Sequence, residues 1–267
     1  MKKNNSCICR LCGKKAPYVF NSKILGKYRV SYYKCEKCGL LQTEKPFWLK
    51  EAYTSAIIEA DTGLLSRNVI LSKIASSVIY FLFDKNRKHL DYAGGYGVLT
   101  RLMRDSGFDY YWTDPMAENL FAKGFEARLK DKYQVITAFE FLEHLEKPLD
   151  ELKKIADIYK PEAFLFSTRL YTEPINKKWW YFVFHSGQHI AFYNMNSLEY
   201  IAKKLNMRLY SNGINVHLLT GKKVSMLKCF VINALWPLLH IWILFKMKSK
   251  TFEDFSEIPT VRNKPFK

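Results

Sequence analysis

Acidic residues are in short supply in this chain: 25 Asp and Glu face 42 Lys and Arg, a formal net charge of +17. The shortage is sharpest at the two ends. Residues 1–50 hold twelve Lys/Arg against two Glu, a net of +10, and residues 200–252 hold nine Lys/Arg and no acid. Such ends fit a polyanionic neighbour: a nucleic acid, an anionic lipid surface or a phosphorylated carrier. A basic surface that meets only solvent has the same composition. Cysteine is almost absent after residue 38, with Cys229 the one exception among six. No apolar run follows residues 1–5, so nothing reads as a secretory leader and reduced thiols in a cytoplasm are expected. The uncharged stretch Cys229–Phe245 is 17 residues long and is interrupted by Asn233, Pro237 and His240. Against the roughly 20 apolar residues that a spanning helix needs it is marginal as a span, and a true span is the least favoured of its readings. With 48% hydrophobic and 16% aromatic residues, the 267-residue chain is no disordered polymer. One core of about 150–200 residues with appendages is the expected organisation.

The cysteines that are present stand in a pattern. Cys9-Arg10-Leu11-Cys12-Gly13 and Cys35-Glu36-Lys37-Cys38-Gly39 are two C-x-x-C-G knuckles, 22 residues apart. Each knuckle can turn two sulfurs toward one ion, and four thiolates close a tetrahedral shell with no open position. Cys9, Cys12, Cys35 and Cys38 are therefore expected to hold a structural zinc; free thiols or a disulfide pair are the other readings. Alternation over 27–33 predicts a strand feeding the second knuckle. Cys7 reads as a spare thiol and Cys229 as core.

Further along, an apolar run ends in Asp91 and the glycines Gly94, Gly95 and Gly97, and a helix over 98–105 follows. Glycine suits a sharp turn against which a ligand lies, although such a loop alone is weak evidence. A second strand-like run over 108–113 ends in Asp114, 17 residues beyond Gly97, where an acid can bind two ribose hydroxyls. A third, over 133–140, ends in Phe139 and Glu140 and runs into Phe141-Leu142-Glu143-His144-Leu145. Helices are predicted over 68–83, 149–159 and 196–205, and strands over 163–168, 208–211 and 215–219. This alternation predicts an α/β fold: a Rossmann-like, mainly parallel sheet with helices on both faces, with ligands beyond the carboxyl ends of the strands. The segments expected are a zinc-ribbon module at 1–45, a linker and packing helix at 46–84, the cofactor domain at 85–221, and a basic, apolar helical extension at 222–267.

Together, Asp91 to Gly97, Asp114 and the segment from Ala138 to Leu145 resemble a class I S-adenosylmethionine-dependent methyltransferase. The similar branch has an acid–x–Gly–x–Gly loop and an F-E-x-x-E-H segment after the fourth strand. Gly187-Gln188-His189-Ile190-Ala191-Phe192-Tyr193 resembles the G-Q-H-I-S-F-Y block of that branch. In this chain Ala93 takes the first small-residue place of the loop and Gly94 is extra. The resemblance implies that Asp91, Gly94, Gly95 and Gly97 hold the amino-acid part of S-adenosylmethionine, that Asp114 takes the ribose, and that Phe139 and Glu140 lie near the sulfur. Zinc knuckles ahead of such a fold are similar to the sugar C-methyltransferases, whose zinc module caps the substrate cleft; their further C-terminal domain has no room here. That likeness points to His189 as a base or substrate donor, with His144 and Tyr193 as further catalytic candidates. An acid precedes the matching histidine in that family, whereas Gln188 stands here.

The function implied is methyl transfer to a small molecule, a sugar or a sugar-bearing intermediate of surface polysaccharide assembly. Trp179-Trp180-Tyr181-Phe182 could stack on a sugar ring or bury a lid. An RNA methyltransferase gripping nucleic acid through the basic zinc module is the alternative. The Asn/Asp-Pro-Pro-aromatic motif of exocyclic-amine methylation is absent, and no cysteine stands where a base-attacking nucleophile would, so nucleic acid is the less favoured partner. A non-enzymatic zinc-ribbon adaptor would need a damaged glycine loop. The C-terminal apolar segment, flanked by Lys222, Lys223, Lys228, Lys246, Lys248 and Lys250, fits an anionic membrane face, a buried core helix or a homodimer interface. The location expected is cytoplasmic, with the inner face of the membrane as its peripheral variant.

Overall fold

The computed structural model describes residues 5–53 and 61–257; the stretch 54–60, inside the expected linker, and both extreme termini lie outside the described residues. The strands are β1 (Ser6–Ile8), β2 (Lys15–Ile24), β3 (Tyr28–Lys34), β4 (Leu41–Thr43), β5 (Lys88–Tyr92), β6 (Asp109–Thr113), β7 (Val135–Ala138), β8 (Ala163–Ser167), β9 (Ala191–Phe192), β10 (Arg208–Ser211) and β11 (Val216–Thr220). The α-helices are α1 (Leu49–Ala52), α2 (Leu64–Leu82), α3 (Val98–Asp105), α4 (Pro148–Tyr159), α5 (Met195–Lys204), α6 (Met226–Lys246) and α7 (Thr251–Glu257). The chain is thus mixed α/β, as the alternation predicts. It forms two compact units, each discontinuous in sequence: Met1–Asp61 with Ala138–Lys223, and Thr62–Thr137 with Val224–Lys267. The four consecutive segments expected from sequence cut the chain differently.

In the first unit an antiparallel sheet has the order β1-β2-β3-β4-β9. Its last strand comes from far along the chain. Leu41 opposes Phe192 and Gln42 opposes Ala191, so the Gly187–Tyr193 block is built into the N-terminal sheet. The reason is apolar. Phe20, Tyr32, Leu41, Trp48, Phe182 and Phe192 are buried in one cluster, with Phe20 stacked on Tyr32 at 4.5 Å and Phe182 edge-on to both. Aromatic rings of this size dominate the apolar area a small sheet can bury. Tyr181 and Phe182 therefore belong to the core, while Trp180 remains 69% exposed. In the same unit β8 pairs antiparallel with β11, and β11 with β10. Asn194 caps α5 in a reciprocal capping box with Ser197.

In the second unit β5 lies between β6 and β7, all parallel, and Trp112 makes one further parallel bridge to Glu126. Every residue of β7, Val-Ile-Thr-Ala, is buried, as a strand covered on both faces requires. Helix α6 packs on α2, where the His240 ring meets the Ser76 hydroxyl at 2.9 Å and Trp242 stacks on Phe81. The rest of α6 is open. Only Ile232, His240 and Ile243 are buried in this helix of mean hydropathy 1.7. This corrects the placing of Cys229 in the core, since its side chain is half-exposed. The reason is geometric: one neighbouring helix covers one stripe of a helix that is apolar all round.

The chain beyond α6 is held by a buried ion pair. The Arg104 guanidinium donates to both carboxylate oxygens of Asp254, at 2.8 and 2.6 Å, and its remaining nitrogen reaches Asp109 and the Tyr110 carbonyl. The Phe125 ring lies 3.5 Å from the guanidinium carbon. Arg104 and Asp254 are each 2% exposed. Removing one partner strands a buried charge, which typically costs about 3–5 kcal/mol. Asp254→Ala is therefore expected to lower the thermal midpoint by several degrees in differential scanning calorimetry, whereas Glu253→Ala next to it leaves the midpoint unchanged.

Candidate active site

The glycine loop in the second unit connects β5 to α3, and each glycine in it has its own physical reason. Ala93, Gly95 and Gly97 all have positive φ, at 57°, 54° and 86°. A Cβ on Gly94 would stand 2.6 Å from Asp91 Oδ2 and 2.8 Å from the Trp112 ring, so only glycine fits there. At Gly97 it would stand 2.8 Å from Asn119 Oδ1. At Gly95 it would meet nothing within 4 Å, so the loop is open on that side. Asp114 fixes the loop from beyond β6. Its Oδ2 accepts from the Gly95 amide at 2.9 Å, and its Oδ1 accepts from the amides of Met116 and Ala117 at 2.7 and 2.9 Å. The carboxylate is half-buried and keeps lone pairs for further donors.

Asp91 occupies a different position from the one its motif suggests. It lies beneath the loop, 2% exposed, and accepts from the hydroxyls of Thr100 at 3.2 Å and Thr137 at 3.1 Å. Burial pushes its pKa up to about 7 against the two hydroxyl bonds.

The first unit carries two further clusters. The Sγ atoms of Cys9, Cys12, Cys35 and Cys38 all lie within 4.8 Å of one another, with Cys9 to Cys38 at 3.5 Å and Cys12 to Cys35 at 3.4 Å. Thiolates about 2.3 Å from a tetrahedral zinc stand roughly 3.8 Å apart, so the donor set and its spacing fit that ion. The turn of each knuckle ends in a glycine of positive φ, Gly13 and Gly39.

The second cluster gathers Glu143, His144 and His189. Residues Leu142–His144 form one turn of 3₁₀-helix. His189 Nδ1 is 2.7 Å from the Tyr181 carbonyl, and the His144 ring stands edge-on to the His189 ring at 4.9 Å. His144 Nδ1 meets the Tyr53 hydroxyl at 2.7 Å, and burial lowers its pKa to about 4. Glu143 is fully buried; its Oε1 accepts from the Tyr181 hydroxyl, and burial, then the neighbouring Glu140, push its pKa up to about 8.

Phe139 and Glu140 follow the end of β7 directly, both half-buried. Glu140 turns with φ 49°, its amide donates to the Ser167 hydroxyl at 2.8 Å, and its Oε1 accepts from that hydroxyl at 2.6 Å. Tyr193 lies outside the reach of small molecules: it is fully buried, and its hydroxyl donates to the Leu142 carbonyl at 2.8 Å. Tyr53 and Glu143 escaped the sequence reading as site residues, and Tyr181 stood in it only as part of the aromatic cluster. Glu143 stood within the F-E-x-x-E-H segment and could have been found there, whereas nothing in the spacing marks the two tyrosines.

A family model described as a methyltransferase domain matches residues 67–212, more than half of the chain. No curated protein matches it. Similar solved structures include TnmH, 15% identical with a TM-score of 0.48, over 67% of this chain and 62% of that one. Magnesium protoporphyrin IX methyltransferase (ChlM) from Synechocystis PCC 6803, with bound S-adenosylmethionine, is 12% identical with a TM-score of 0.39, over 64% of this chain and 87% of that one. CalO1, a methyltransferase in calicheamicin biosynthesis, is 12% identical with a TM-score of 0.42, over 65% and 61%. The chain spans 62% of the length of TnmH.

The buried Asp91 carboxyl sets a pH signature. Its pKa is raised in the fold above an unfolded value near 3.8, so ionising it opposes folding. The penalty is absent below about pH 4, grows as pH rises, and is complete above about pH 7. Asp91→Asn removes it. The thermal midpoint of the variant minus that of the parent chain is expected to rise between pH 5 and pH 8, as followed by circular dichroism.

Proposed function

The chain belongs to the methyltransferase-domain family, and on that premise we propose that it transfers the methyl group of S-adenosylmethionine to a small-molecule acceptor, a sugar or a sugar-bearing intermediate of surface polysaccharide assembly. The observation that carries the reading is the Asp114-fastened loop, open at Gly95. The amides of the loop and the start of α3 suit the carboxylate of the cofactor. Asp114 has lone pairs left for the ribose hydroxyls, Gly94 and Gly97 keep the backbone close, and Asp91 braces the loop from below. Phe139 and Glu140 bound the sulfur end. The bound cofactor supplies the methyl on a sulfonium sulfur and leaves as S-adenosylhomocysteine.

The protein then has two tasks, to align the acceptor and to take its proton. His189 donates from Nδ1 to the Tyr181 carbonyl, which fixes the orientation of its ring. It accepts the acceptor's proton as the new bond to carbon forms and the sulfur–carbon bond breaks. His144, with its low proton affinity, stays neutral at pH 7 and orients the site, and Tyr193 holds the 142–144 turn. The exposed face of Trp180 suits a sugar ring. The four cysteines hold one structural zinc, which fixes the knuckles around Arg10.

The open side of α6 rests on an anionic membrane surface. Leu227 and Phe230 are 71% and 70% exposed, Leu238 and Phe245 are exposed with them, and lysines flank the helix at both ends, Lys222 pairing with Glu162 and Lys250 with Glu253. Apolar side chains inserted between lipid headgroups, with lysines at the phosphates, describe an interfacial helix.

Two measurements test these readings. Calorimetric titration with S-adenosylmethionine is expected to show binding that Asp114→Ala weakens tenfold or more, the loss of a charge-assisted pair; equal affinities would remove Asp114 from the site. In vesicle sedimentation, the chain should pellet with phosphatidylglycerol-containing vesicles, less so as salt rises. Leu227→Glu with Phe230→Glu should abolish pelleting without changing cofactor affinity.

A further inference from the structure

His189 sits in a stretch with little regular structure of its own: residues 188–190 are neither helix nor strand, and β9 adds only two residues after them. Its placement therefore comes from what grips the chain on either side, and both grips reach back to the cysteine knuckles. On one side, the Ile190 carbonyl accepts from the Thr43 amide at 3.0 Å and from one guanidinium nitrogen of Arg10, the residue after Cys9. Arg10 is itself anchored, since its amide donates to Gln42 Oε1 at 2.8 Å and Gln42 opposes Ala191 across the sheet. On the other side, the Tyr171 hydroxyl donates to the carbonyl of Gly39, the residue after Cys38, and accepts from the Asn194 amide group at 3.1 Å. Gly39 lies so close that a Cβ there would stand 2.3 Å from Asn194 Oδ1. The guanidinium itself is unusual. Its Nε and Nη1 are buried and have no hydrogen-bond partner among the described residues. One side-chain hydrogen bond to a neutral carbonyl compensates poorly for the desolvation of a cation, so fold stability alone does not account for Arg10.

We propose that Arg10 is a positioning residue for His189, and that it carries the state of the four-cysteine centre to that histidine. Sulfurs closed on one zinc fix the two knuckles relative to each other. Arg10 and Gly39 pass that spacing on to Ile190 and Asn194, which bracket the end of the block, and the His189 ring is placed as a result. Four thiolates around one divalent ion leave a net negative charge, and Arg10 adjoins one of them in sequence, so the filled centre favours the cation where it lies. The planar guanidinium then gives the carbonyl a donor of fixed direction, which a lysine ammonium does not. What His189 does there rests on the methyl-transfer reading; its placement needs no cofactor.

The test is nuclear magnetic resonance of the full, zinc-loaded chain with isotope-labelled histidine, the His189 ring signals being those that vanish in His189→Gln. Arg10→Met keeps the apolar stem and removes every donor. It is expected to displace the His189 ring signals and to speed exchange of the Ile190 amide, which donates to the Glu143 carbonyl at 2.8 Å, by roughly tenfold or more, the loss of a charge-assisted hydrogen bond. The His217 ring, held by Ser211 and by the Thr168 carbonyl, should stay where it is, and zinc content should not change. Arg10→Lys, which restores one donor, should bring both readouts part of the way back. Removing zinc from the parent chain with a chelator should displace the same His189 signals in the same direction. Unchanged His189 signals in zinc-loaded Arg10→Met overturn the proposal, and so does a displacement that His217 shares equally, which is general loosening. Should Arg10→Met fail to keep its zinc, the chelated parent chain decides by the same two criteria. None of these measurements involves S-adenosylmethionine, so failure here leaves the methyl-transfer reading standing, and failure of cofactor binding leaves the placement of His189 standing.

Discussion

The backbone of Ile190 is the fastening on which the histidine site depends. Its carbonyl accepts from the Thr43 amide at 3.0 Å and from the Arg10 guanidinium, and its amide donates to the Glu143 carbonyl at 2.8 Å. One residue thus ties β4, the first cysteine knuckle and the 142–144 turn together. His189 precedes it and Phe192 enters the aromatic core two residues later. Neighbouring bonds repeat the pattern: the Trp48 indole donates to the Gly187 carbonyl at 2.8 Å and the Gln188 amide group to the Ala52 carbonyl at 2.9 Å. Arg10 lies between Cys9 and Cys12, so a single side chain links the first knuckle to the residue that follows His189. The cysteine knuckles lie in the same compact unit as His189.

Buried charge is handled in three different ways. Arg104 and Asp254 neutralise each other with a two-point bond and a cation–aromatic contact, and the pair closes the C-terminal segment over its unit. Asp91 has hydroxyl donors but no cation, and burial moves its proton affinity toward neutrality. Glu143 accepts from the Tyr181 hydroxyl at Oε1 and forms no ion pair among the described residues. The first arrangement stabilises the fold. In the other two, burial raises the proton affinity of the carboxyl.

The basic balance of the chain acquires a location in the structure. The acid-free stretch ends in an apolar helix with one stripe on α2 and the rest uncovered. A cationic rim around an apolar face fits a lipid surface better than a polynucleotide, which offers phosphates but little for Leu227 or Phe230 to enter.

The sequence by itself determined the local pieces. The strands and helices are near their predicted bounds because periodicity is a property of neighbouring residues. The two knuckles were legible because a metal shell demands close spacing. Asp91 to Gly97 and Asp114 were legible because a tight turn and a strand tip leave few residue choices. Tertiary structure decided which pieces meet. The separations of 91 positions from Tyr53 to His144, and of 150 from Arg104 to Asp254, carry no periodic trace. Neither does the pairing of β4 with β9, which joins the first unit across the chain, since an antiparallel edge accepts any strand whose apolar side chains fill the core beneath it. Spacing along a chain records local geometry. Complementarity across it is recorded only in the packed fold, where Tyr181 and Tyr53 turn two histidines and a glutamate toward one point.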